Sequence, residues 1–140
     1  MRKRINKRYI FILFSLLLVI ACQSETKHIK NARYYGPLNP ETKTAAPSIE
    51  LDMAVIDELF DNLKRTEAAA AKGPFQYVTV ETGNNTELIL QVMDQMPHSV
   101  RIIKKDRTTN MWYEFKDQKS IDRWALLLKD WSRQLQQKQP

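Results

Sequence analysis

The sequence predicts a small α+β domain. Its expected order is an N-terminal helix, then strand–helix–strand–strand–helix, with the helices packed on a small sheet. A second arrangement fits the same pattern, a four-stranded antiparallel meander between two helices. Three observations carry the prediction. Apolar residues recur at helical spacing near each end of the stretch 49–140. β-Branched and aromatic residues cluster in three short runs between them. Glycine, proline and asparagine punctuate the junctions.

The first helix is expected over residues 53–72. Val55, Ile56, Leu59, Phe60 and Leu63 gather on one face, while Asp57, Glu58, Asp61, Lys64 and Arg65 take the solvated one. Asp52 serves as N-cap, and Leu51 and Ile56 sit where a hydrophobic staple closes. Residues 68–71 are alanines that extend the helix, and Gly73 and Pro74 stop it. Residues 76–82 then read as a strand, and Gly83, Asn84 and Asn85 as a turn. Residues 86–96 fit two periods. Leu88, Leu90 and Val92 alternate, but Leu88, Ile89, Val92, Met93 and Met96 make a better helical face, with Asn85 as cap and Pro97 as stop. A helix is therefore expected there. Residues 100–106 and 111–117 form a hairpin about 107–110, and a last helix runs from Gln118 or Ser120 to Gln136. Its stripe is Ile121, Trp124, Leu128, Trp131 and Leu135.

The start of the chain has another character. Arg2, Lys3, Arg4, Lys7 and Arg8 precede a 12-residue apolar run, residues 9–20, followed by Ala21 and Cys22. At about 1.5 Å per residue such a run is too short for a hydrocarbon core of about 30 Å, and polar residues from Gln23 onward prevent its extension. A basic, apolar, small-residue order is that of an export signal. Val19-Ile20-Ala21-Cys22 resembles the lipobox of bacterial lipoproteins, although Ile20 stands where that family favours a small residue. The resemblance implies cleavage before Cys22, fatty acylation of Cys22, and anchorage on the extracytoplasmic side of the cell envelope. That side is the cell membrane, or the outer membrane if the host has one, toward which Gln23 in place of an aspartate points. Two or three acyl chains hold a protein on a membrane nearly permanently.

The domain plan is therefore a signal peptide over 1–21, a lipidated cysteine and flexible tether over 22–48, and the α+β domain over 49–140. Residues 23–48 are polar, contain Gly36, Pro37, Pro40 and Pro47, and lack sustained periodicity. Tyr34, Tyr35 and Leu38 form a small apolar island, read as linker. The βαββα order of the domain resembles the ring-building and KH-like modules of secretion assemblies, in element order alone.

Composition excludes several functions. The net charge of +6 suggests nucleic acid, but five of the 22 basic side chains lie in the leader, leaving 17 against 16 acidic ones. No nucleic-acid partner is expected. Cys22 is the sole cysteine, so no disulfide forms within the chain. His28 and His98 have no companion at ligand spacing, so no metal and no cofactor are expected. Three glycines supply no phosphate loop, and Ser99 beside His98 is a sequence neighbour, not a catalytic pair. Asn84-Asn85-Thr86 matches a glycosylation acceptor that a bacterium leaves idle. No catalytic residues are assigned.

The distinctive feature left is aromatic. On the last strand Tyr113 and Phe115 point one way and Trp112 the other, beside Glu114 and Lys116. With one face of the sheet covered, Trp112 is left against solvent and becomes the candidate partner-binding residue. The expected function is a membrane-anchored lipoprotein with a non-catalytic binding or envelope-assembly role and a protein partner in the envelope. The competing reading is a small extracytoplasmic enzyme with a site assembled from dispersed residues.

Overall fold

The computed structural model describes residues 29–43, 45–67, 73–94, 96–106 and 109–139. The leader expected over 1–21, Cys22, and residues 68–72 of the expected first helix lie outside them. In chain order the elements are β1 (Ile29–Gly36), β2 (Ile49–Glu50), α1 (Met53–Asp61), β3 (Leu63–Thr66), β4 (Phe75–Thr82), β5 (Glu87–Met93), β6 (Met96–Lys104), β7 (Asn110–Phe115) and α2 (Gln118–Lys138). The strands form one antiparallel sheet in the order β2-β1-β4-β5-β6-β7-β3. The α+β class stands, but the sheet is larger than expected. Its centre is a β4–β7 meander, and three further strands are added at the edges.

Alternation divides the sheet into two faces. One carries Ala32, Tyr34, Val78, Val80, Leu90, Val92, Val100, Ile102 and Phe115, all buried in one core with Ile56 and Leu59 of α1 and Trp124, Leu128, Trp131 and Leu135 of α2. Both helices therefore lie on this face, covering it as a layer. They touch each other through the Glu58–Arg123 ion pair. An aromatic chain runs beneath α2. Phe115 lies 5.8 Å from Trp124, Trp124 5.4 Å from Trp131, and Trp131 5.8 Å from Tyr34. Gly36 ends β1 with φ of 64°, and a Cβ there would stand 2.9 Å from Leu135, so the close approach of α2 to β1 requires glycine. Asp52 caps α1 by accepting from the Ala54 amide (2.9 Å), and Asp117 caps α2 by accepting from the Ser120 amide (2.7 Å).

Three expectations fail. The tether does not reach residue 48, because Ile29–Gly36 is a strand paired with both β2 and β4. Tyr34, read as part of a linker island, is 1% exposed, and its hydroxyl donates to Gln76 Oε1 at 2.6 Å. The domain begins near residue 29, not 49. Next, the first helix stops at Asp61. Asn62 turns it off by donating from its backbone to Leu59 O and from its side chain to Glu58 O. Leu63–Thr66 then pairs with β7, a long-range ladder that overrides the helical periodicity. Finally, in place of the helix expected over 86–96, Glu87–Met93 form the central strand β5, bonded to β4 and β6. A strand buried on both faces is apolar at successive positions (Ile89 2%, Leu90 0% exposed), which imitates a helical stripe. With that helix gone, the likeness to KH-like and ring-building modules falls. Among the described residues no helix is long and apolar enough to cross a membrane.

Candidate functional site

The face of the sheet opposite the helices is the candidate. Antiparallel register lines its side chains into two cross-strand rows. One row is Thr66, Trp112, Arg101, Gln91 and Tyr77, reading from β3 to β4. The other is Asn110, Ile103, Ile89, Thr79, Arg33 and Glu50, reading from β7 to β2. At about 4.8 Å between strands the first row is roughly 19 Å long.

The two halves of this face differ. On the β4 side, the charge of Glu41, in the β1–β2 connection, is felt at Tyr77 and Lys105. Burial, then the Glu41 charge, pushes the Tyr77 hydroxyl above its ordinary pKa. Lys105 is raised first by its hydrogen bond and ion pair with Glu87, at 2.6 Å. On the β5–β6–β7–β3 side the described helices contribute nothing; Gln91, Arg101 and Ile103 are half-buried, while Ile89, Ser99 and Trp112 on the same face are buried.

Trp112 faces away from the core as its position in the strand requires, but it is not left against solvent. It is 8% exposed, covered by Arg101, whose guanidinium carbon stands 5.9 Å from the ring centroid. This corrects the expectation for Trp112: the indole is the floor of the surface and Arg101 its exposed feature. The Arg101 side chain is held from two more directions. Its Nε donates to Asn110 Oδ1 at 2.7 Å and its Nη1 to Gln91 Oε1 at 3.4 Å. Both acceptors are neutral. Among the described residues no carboxylate meets Arg101, whereas Arg33 pairs with Glu50, Lys64 with Glu114 and Lys105 with Glu87. Sequence reasoning named Trp112 and missed Arg101. The signal lay in the hairpin register, which sets Arg101 opposite Trp112.

Cys22 falls outside the described residues. Among those described, no group of histidine, cysteine and carboxylate side chains could hold a metal ion. His98 and Ser99 are consecutive on β6, so their side chains leave opposite faces. A crevice between α1 and α2, lined by Val55, Leu59, Phe115, Trp124 and Leu127, offers about 30 Å³, room for a water. No family model, no curated protein and no solved structure matches this chain.

Proposed function

We propose that the protein is a lipid-anchored extracytoplasmic binding protein, acylated at Cys22, which holds a protein partner of the cell envelope on the face of its sheet opposite the helices. It performs no chemistry of its own. One observation carries the reading of the surface: a tryptophan beneath a fixed arginine that no carboxylate of the described residues neutralises, on the sheet face opposite the described helices. Tryptophan and arginine are enriched among residues that dominate binding energy. The lipobox-like segment supports the anchor, and the early start of β1 supports its tightness. Six residues, 23–28, separate Cys22 from Ile29. Fully extended at about 3.3–3.6 Å per residue, the leash reaches no more than about 25 Å. A protein held so near a bilayer is suited to a partner on the same surface.

Site-specific photo-cross-linking in cells tests the reading. A cross-linker replacing Gln91, half-buried on that face, is expected to capture one discrete partner in the membrane fraction. The same group replacing Asp130, on the exposed side of α2, is expected to capture none. Equal capture at both positions, or none at either, would refute the surface.

A further inference from the structure

We infer that the occupant of this surface is a short acidic segment of a second envelope protein, whose carboxylate is received by Arg101. The inference rests on the partner-binding reading above and adds the chemistry of the partner.

The guanidinium supplies the first reason. It has five N–H donors in a planar fork. One is directed at Asn110 and one, at longer range, at Gln91, which leaves three for a ligand. The Trp112 ring beneath and the two amide oxygens beside it fix the fork without cancelling its charge. Elsewhere on this face the cations of Arg33, Lys64 and Lys105 are each matched by a carboxylate of the same sheet. Arg101 is oriented like a member of an ion pair whose second member is missing among the described residues. Fixed guanidinium forks bind carboxylates in two parallel charge-assisted hydrogen bonds.

Size supplies the second reason. From Thr66 to Gln91 is three strand spacings, about 14 Å, and from Ser99 to Ile103 four residues, about 13 Å. The area, roughly 200 Å², is about a quarter of the ~800 Å² that each side of a stable protein pair buries. It fits a peptide segment, not a domain. An apolar side chain lies beside the charge, since half-buried Ile103 is two residues along β6 on the same face. A contact this small is weak alone. Confinement of both proteins to one membrane raises the effective concentration and makes a weak contact sufficient.

The test uses full-length protein in phosphatidylcholine nanodiscs and fluorescence anisotropy of labelled ten-residue oligoglutamate, with oligoglutamine as the neutral probe. Oligoglutamate is expected to bind at least about tenfold more tightly, the size of one charge-assisted contact. Arg101→Gln should erase that difference, and Arg133→Gln on α2 should keep it. Asn110→Ala, which retains the charge but frees the fork, should lose about threefold; it decides the matter if Arg101→Gln melts early. Unchanged binding by Arg101→Gln, or an equal loss in Arg133→Gln, overturns the inference. Displacement of oligoglutamate by phosphatidylglycerol vesicles or by inorganic phosphate at matched charge also overturns it, since the surface then reads anions in general. If oligoglutamate does not bind while the cross-linker at Gln91 still captures its partner, the acidic segment falls and the binding reading stands. If both fail, both fall.

Discussion

Replacing Trp124 by phenylalanine should cost far less than replacing it by alanine, and the reason is a single atom. Trp124 is 1% exposed and lies between the rings of Phe115 and Trp131. Truncation to alanine removes nearly all of that packing and should cost ~3–5 kcal/mol, against a total stability of ~5–15 kcal/mol for a domain. The indole Nε1, however, is buried with no hydrogen-bond acceptor among the described residues. A donor stripped of water without a partner costs about 1–3 kcal/mol. Phenylalanine is smaller by roughly three heavy atoms, about 2 kcal/mol of transfer energy at ~0.8 kcal/mol per methylene, but it removes the orphan donor. The two effects nearly cancel, so the net loss should be roughly 0–1 kcal/mol. Urea denaturation of both variants, with the slope checked for constancy, measures this directly. A Trp124→Phe loss near that of alanine, above about 3 kcal/mol, would refute the argument. The N–H would then have a partner, and a water in the α1–α2 crevice is the first place to look for it.

Other consequences can be checked separately. Cys22→Ser should abolish incorporation of labelled fatty acid and leave precursor or released protein; normal labelling would remove the lipoprotein reading. A chain beginning at residue 49 should fail to unfold cooperatively, while one beginning at 29 should do so. β1 carries Ile29, Ala32 and Tyr34 into the core, together ~5 kcal/mol of burial, and equal melting curves would contradict this. Burial, reinforced by the Asp94 charge and opposed by a Ser132 hydrogen bond, raises the Tyr34 hydroxyl above its ordinary pKa. Its stabilising share is therefore complete below about pH 10 and lost as pH climbs through the folded value. Tyr34→Phe should cost ~1 kcal/mol at neutral pH and flatten the alkaline fall in denaturation midpoint; an unaltered fall would assign it to other groups.

Local signals in the sequence were reliable where local physics decides the outcome. Asp52 and Asp117 cap helices, the 76–82 strand and the 100–117 hairpin form, and the Trp124–Trp131 stripe is buried. The errors share one cause. β1, β3 and β5 are defined by partners distant in the chain: β1 by β4, β3 by β7, and β5 by a neighbour on each side. A two-sided central strand has no alternation to read, and a charged edge strand such as Leu63–Thr66 resembles the solvated end of a helix. The same blindness affected the surface. Trp112 was legible as a residue pointing away from the core, because alternation is local. Its cover was not, because Arg101 reaches it across the hairpin.

The short leash and the sheet register together restrict where a partner can stand. Ile29 pairs with Thr82, whereas the Arg101 row meets β4 at Tyr77, five residues along that strand and about 17 Å away at ~3.3 Å per residue. Arg101 is also three strand spacings from β1, about 14 Å across. The straight path from Ile29 to Arg101 is thus about 22 Å. With Cys22 acylated, the leash adds at most about 25 Å, and Arg101 stays within about 50 Å of the lipid. On the proposed anchor, residues 23–48 as a tether would let the domain wander, whereas residues 23–28 would not. If the proposed anchor and acidic segment hold, that segment is displayed close to the bilayer, which favours a membrane-attached partner over a freely diffusing one. On the proposed reading, close confinement would let a patch of roughly 200 Å², too small to hold a soluble partner, suffice when both chains share one surface.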